Sequence, residues 1–267
     1  MTLIIGVKCS NGVVIGADGA ATLGAMGKRT ILQPMKKLDI LEGKLIFSLS
    51  GPVGLGQLFK GDIQKAWESH VFEGKESFEV MATMRDIMWP HAKCELENAA
   101  IARNAIGNIA LESALSSVII AMPVKNKFAL FQFNQQCSPE EATEDLPFVS
   151  TGSGQPIADP FLAFLRRLFW KNGPPSLSEG ILAVVWTLLH TILINPGGVA
   201  NPKQVVILEK EGNNFIAREL SPEELQEHYE FIDNMEKKIS DLQQEIRESS
   251  LTGEAIIPLP SNNSIKK

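Results

Sequence analysis

The chain has 267 residues, 44% of them hydrophobic and 21% charged, with a formal net charge of −6. That composition is ordinary for a globular protein. The acidic balance argues against a nucleic-acid binder, which would carry a basic face, and Cys9, Cys94 and Cys137, without metal-ligand spacing, point to idle thiols in a reducing cytoplasm.

In chain order, Leu3 to Val7 is an apolar run of strand length, Ser10-Asn11-Gly12 is a turn signal, and Val13 to Ala17 is a second apolar run that delivers Asp18. Strands over 2–9 and 13–18 joined as a hairpin return Asp18 to the neighbourhood of Thr2. Thr2 is small enough for removal of Met1, which leaves a hydroxyl beside its own α-amine. That amine has an unperturbed pKa of about 7.7–8.0, so one residue supplies both a nucleophile and its base. A Thr after Met and a surface hairpin ending in Asp-Gly are the plain alternative.

Strands are predicted next over 36–40 and 44–50. Leu55, Leu58, Phe59, Ile63, Trp67 and Val71 recur at helical spacing and predict a helix over 53–71. A second helix starts near Ser77, and Pro90 is expected to kink or end it. Strands follow over 115–122, 127–133 and 146–150, then helices over 156–171 and 177–193. The second of these opens on the capping-box pair Ser176 and Glu179. The run from Ile181 to Ile194 is the most apolar, but Thr187, His190 and Thr191 interrupt it, so a buried core helix is expected and no membrane partner. Strands over 203–209 and 214–219 close the order.

Two strand groups, each followed by a helix pair, predict an α+β fold: a four-layer α-β-β-α sandwich over residues 1–220. Past Ser221, Leu225, Ile232, Ile239 and Ile246 repeat every seven residues, with Met235 and Leu242 between them. This predicts a heptad helix over 221–248, serving assembly between chains or packing on its own domain, and a disordered tail over 249–267. No P-loop, dinucleotide fingerprint or metal-spaced His/Cys cluster occurs, so neither a cofactor nor a metal is expected.

Asp18-Gly19-Ala20-Ala21-Thr22-Leu23-Gly24, following a potential N-terminal Thr, resembles the proteasome β-subunit superfamily of N-terminal nucleophile hydrolases, and within it the bacterial HslV-type peptidases. Met35-Lys36-Lys37-Leu38, Ser48-Leu49-Ser50-Gly51 and Val149-Ser150-Thr151-Gly152-Ser153-Gly154 resemble further blocks of that family in the same order. The resemblance implies Thr2 as nucleophile, Lys37 as a cation that lowers the pKa of the Thr2 hydroxyl and amine, and Asp18 as its partner. It also implies Gly51 as oxyanion donor, Ser153 beside the amine, and Leu49 and Thr22 on the floor and wall of a specificity pocket for apolar residues. An inert buried ion pair is the alternative for Asp18 and Lys37, and a simple Gly-Ser-Gly turn for Ser153. Where many β subunits carry a supporting Asp and Ser, this chain has Leu193 and Pro196, with Asn195 the nearby polar substitute.

The expectation is a cytoplasmic threonine endopeptidase acting on peptides or unfolded proteins inside a homo-oligomeric ring. Whether an ATPase unfoldase serves it is left open. A non-catalytic scaffold of the same fold, or an amidohydrolase on a small amide, is the alternative.

Overall fold

In the computed structural model, residues 2–25, 28–171, 173–194 and 198–252 are described, with the side chains of 22–32, 106, 109, 112, 113 and 249–252 excepted. The strands are β1 (Ile4–Cys9), β2 (Gly12–Asp18), β3 (Ala20–Ala25), β4 (Lys28–Pro34), β5 (Leu38–Leu41), β6 (Leu45–Ser50), β7 (Ser117–Val124), β8 (Lys127–Phe133), β9 (Pro139–Glu141), β10 (Phe148–Thr151), β11 (Lys203–Glu211) and β12 (Asn214–Glu219). The helices are α1 (Val53–Glu68), α2 (Ser77–Ile106), α3 (Ile109–Ala114), α4 (Gln155–Phe169), α5 (Leu177–Ile194) and α6 (Pro222–Thr252). The fold is α+β. The chain divides into two compact units, Met1–Ser221 and Pro222–Lys267.

Within the first unit, all strand pairing is antiparallel. One five-stranded sheet runs β10-β1-β2-β11-β12, a second runs β5-β6-β7-β8-β9, and β3 with β4 forms a separate ribbon. Strands buried on both faces read as continuous apolar runs, as in β2, where every residue from Gly12 to Asp18 is buried. The two sheets share one core: Ile4, Val13, Ile15 and Val206 of the first cluster with Ile46, Ile119, Ala121 and Leu130 of the second. The other face of the second sheet packs Phe47, Ile120 and Phe131 against Phe59 and Ile63 of α1 and Met84 and Met88 of α2.

On the first sheet, α5 lies so close to β2 that a Cβ on Gly16 would stand 2.3 Å from Val184 and 2.9 Å from Leu188. By length and composition α5 would also pass as a membrane-crossing helix. Half of that span is buried, and Val184 and Leu188 meet β2 as core residues do. The box at its start forms as read: Ser176 N donates to Glu179 Oε2 at 2.7 Å, and Glu179 N to Ser176 Oγ at 3.4 Å.

Of the two outcomes expected at Pro90, a kink or an end, the end does not occur, for α2 runs from Ser77 to Ile106. A proline costs an interior turn about 3 kcal/mol. Here Val80, Met84, Met88 and Ala92 are buried on both sides of it, and the valine and each methionine contribute about 1.5–3 kcal/mol, so the packed face outweighs the lost bond. Residues 20–34 were not expected as strands, yet β3 and β4 form a ribbon there. The expected disordered tail falls, from residue 253 on, outside the described residues.

Candidate functional site

The hairpin register sets the site. Ile4 pairs with Ala17 across β1 and β2, so Asp18 arrives opposite Leu3, and Asp18 N donates to the Leu3 carbonyl at 3.1 Å. On the other side of β1, Ile4 pairs with Thr151 of β10, which brings Gly152, Ser153 and Gly154 to Thr2. Gly154 N donates to the Thr2 carbonyl at 3.2 Å, and Thr2 N donates to Ser153 Oγ at 3.2 Å. Gly152 holds a φ of +100°, and a Cβ there would stand 2.2 Å from the Thr2 carbonyl oxygen. Only glycine fits both demands.

Asp18 is fully buried and saturated. Its Oδ1 accepts from Leu3 N at 2.8 Å and from Lys37 Nζ at 2.6 Å, and its Oδ2 from Ala20 N at 3.2 Å and Ala200 N at 3.3 Å. Lys37 stands just before β5 on the opposite sheet, so the ion pair bridges the two sheets at their shared end. Burial holds the Lys37 ammonium below the usual lysine range, and the Asp18 carboxylate pulls it part of the way back. A buried cation requires such a partner.

Sequence reasoning missed Gln204. From β11 its Oε1 accepts the Lys37 and Leu38 amides at 3.2 and 3.0 Å, while its Nε2 donates to the Leu38 carbonyl at 3.0 Å. It fixes the backbone that carries Lys37. The only signal was one amide side chain at the head of an apolar strand. Ser150 Oγ, which donates to the Asp159 carboxylate behind the Ser153 loop, was missed as well.

Thr2, Lys37, Gly51 and Leu49 line one cavity of about 250 Å³, together with Ala21 and Phe47. Gly51 has a φ of +148°, and a Cβ on it would meet Leu115 and Ser116 backbone atoms at 2.8 Å. Gly56 lies against Leu49, where a Cβ would approach to 3.1 Å. The same cavity holds the Lys60–Asp39 ion pair, at 3.2 Å, which the sequence did not suggest. The structure thus brings Thr2, Asp18, Lys37, Gly51, Ser153 and Leu49 to one end of the sheets. Thr22 lies on β3, but its side chain is outside the described residues, as are Asn195 and Pro196. Leu193 is exposed on the last turn of α5. No group of acidic, His or Cys side chains fit to hold a metal occurs among the described residues.

No protein-family model matches the chain, and no curated protein is recognisably similar in sequence. Solved structures are similar. An Anbu mutant from Hyphomicrobium sp. strain MC1 superposes with a TM-score of 0.61 at 18% identity, over 91% of this chain and all of that one. Anbu, described as an ancestral β-subunit, from Yersinia bercovieri gives 0.62 at 15%, over 89% and 96%. The helical assembly of the Anbu complex from Pseudomonas aeruginosa gives 0.60 at 14%, over 98% and 100%.

The chain has the fold of the Anbu proteins. This overturns the expected placing with the HslV-type peptidases. The blocks that carry the motif resemblance end at Gly154, whereas the structural match covers 98% of the chain. The physical reason for the misplacing is local. Short blocks such as Asp18-Gly19 and Gly152-Ser153-Gly154 record a strand end and a tight glycine turn, which branches of one fold can share.

Proposed function

We propose that this Anbu-like chain is an N-terminal threonine peptidase working as a homo-oligomer, with Thr2 as nucleophile once Met1 is removed, on a four-layer α-β-β-α sandwich. The observation that carries the reading is the meeting of Thr2 and Lys37 on one cavity wall, with Lys37 held at 2.6 Å by a carboxylate that also accepts the Leu3 amide.

The Thr2 α-amine, beside Ser153 Oγ, takes the proton of the Thr2 hydroxyl as its oxygen attacks the carbonyl carbon of a peptide bond. The Lys37 ammonium keeps the amine in its neutral, accepting form by raising the cost of a second nearby positive charge. Negative charge then develops on the carbonyl oxygen, where the Gly51 amide is the donor at hand, a type of contact worth about 3–4 kcal/mol in hydrolases. Collapse expels the leaving amine, which takes the proton back from the α-ammonium and leaves an ester on Thr2. Water, deprotonated by the same amine, hydrolyses that ester and restores the enzyme. The apolar wall of Ala21, Phe47 and Leu49 favours an apolar side chain on the acyl side of the cleaved bond.

The test is turnover of fluorogenic peptides together with the mass of the purified chain. Loss of Met1, no turnover by Thr2→Ala, residual turnover by Thr2→Ser and near-total loss in a folded Lys37→Ala support the reading. Retention of Met1, or Thr2→Ala turning over at the parent rate, removes it. A non-catalytic scaffold is the second reading, since one similar structure is described as a helical assembly. It predicts no turnover by any variant and assembly indifferent to Thr2.

A further inference from the structure

The second unit carries a feature that peptide hydrolysis does not use. α6 spans 31 residues, and a helix of that length draws most of its stability from burying an apolar stripe. Its heptad stripe is divided. Leu225 and Ile232 are buried, at 6% and 1% exposure, whereas Ile239 and Leu242 on the same stripe are 59% and 51% exposed. The distal half continues the heptad seam of the proximal half with its own apolar side chains exposed.

The charges flanking that distal half choose an occupant. With Leu225, Ile232, Ile239 and Ile246 taken as the first heptad position and Met235 and Leu242 as the fourth, Lys238 and Glu245 hold the seventh position in successive heptads, and Gln243 the fifth. Both charged residues are exposed, and neither makes a salt bridge among the described residues. In a parallel pair of helices a seventh position faces the partner's fifth. Lys238 would then face Gln243 and Glu245 would face Ser250, with no charge matched. In an antiparallel pair, seventh positions face each other. Setting Ile239 opposite Leu242 and Ile246 opposite Met235 then places Lys238 opposite Glu245, twice by symmetry.

We propose that the distal half of α6 pairs antiparallel with the same segment of a second copy, Ile239 packing on Leu242 of the partner and Lys238 matching Glu245. This pairing is independent of the chemistry at Thr2.

The test is the mass of the full chain by light scattering over a concentration series. Leu242→Glu lowers the mass at concentrations where the parent is associated. Lys238→Glu alone and Glu245→Lys alone each set like charges opposite one another in the homotypic pair and weaken association roughly tenfold. The double variant Lys238→Glu/Glu245→Lys restores it, and so does an equimolar mixture of the two single variants, because each then meets its opposite in trans. A mass unchanged by Leu242→Glu overturns the pairing and assigns the stripe to the chain's own fold or to a different protein. If Leu242→Glu acts while the charge variants, their double and their mixture all behave as the parent, the antiparallel register is overturned in favour of a parallel one.

Discussion

The end of the sheets around Asp18 and the distal half of α6 depart in opposite directions from the usual placing of polar groups outside and apolar groups inside. At the first, a carboxylate and an ammonium are buried between two sheets, with backbone amides closing the carboxylate's remaining acceptor sites. At the second, isoleucine and leucine face water along the helix. Buried charge is retained only where partners compensate it, and saturation by three backbone amides ties Asp18 to the position of the chain itself. Exposed apolar surface needs no compensation within the chain, but it favours association. The first departure therefore reads as a site and the second as a contact.

The sharpest way to break this contrast is Asp18→Ala. It removes the carboxylate that the buried Lys37 ammonium and three backbone amides contact, and it should cost about 3–5 kcal/mol, seen as a large drop in denaturation midpoint. Asp18→Asn retains one of the two acceptor oxygens and should cost less. An unchanged midpoint for Asp18→Ala would mean that the pair is not structurally coupled to the hairpin.

Gly152→Ala comes next. A φ of +100° and a Cβ 2.2 Å from the Thr2 carbonyl oxygen predict about 1–3 kcal/mol of strain. They also predict displacement of Thr2, read as turnover lost beyond what the stability change explains. Ordinary turnover in a destabilised Gly152→Ala would separate the loop's structural role from Thr2.

Burial of a different kind gives a pH signature. The Cys9 thiol is pushed up to about 12 by burial, with Glu179 adding to it, while an unfolded thiol ionises near its ordinary value of 9.0. Between those values the folded state binds the extra proton, so this contribution is complete below pH 9 and is lost as pH rises towards 12. The fall is at most about 1.4 kcal/mol per pH unit. Denaturant unfolding from pH 8 upward should show it, with a shallower slope in Cys9→Ala. Equal slopes would show that the thiol ionises as readily in the fold as in the open chain.

The smallest effect belongs to α6. Leu242→Glu should leave the stability of the dilute chain within about 0.5 kcal/mol of the parent, although it acts strongly on association. A loss of several kcal/mol in dilute solution would mean that the stripe is part of the chain's own core.

Periodicity and turn chemistry belong to the sequence. The hairpin at Ser10-Asn11, the alternation of strand and helix groups, the box at Ser176 and the heptads of α6 were legible because each depends on residues within a few positions of one another. So was the candidate cluster, Thr2 and Asp18 through the hairpin spacing, and Lys37, Gly51 and Ser153 through resemblance. What only the tertiary structure decided depends on partners far apart in the chain. The β3–β4 ribbon has no apolar alternation to announce it, and α2 passes through Pro90 because the second sheet covers the helix on both sides of the proline. Asp18 and Lys37 meet because two separate sheets share an end, and Gln204 is needed there because the backbone carrying Lys37 must be held across that gap. The likeness to the Anbu structures is likewise one of overall fold, since it extends over nearly the whole chain at 14% identity, while short motifs encode only strand ends and glycine turns.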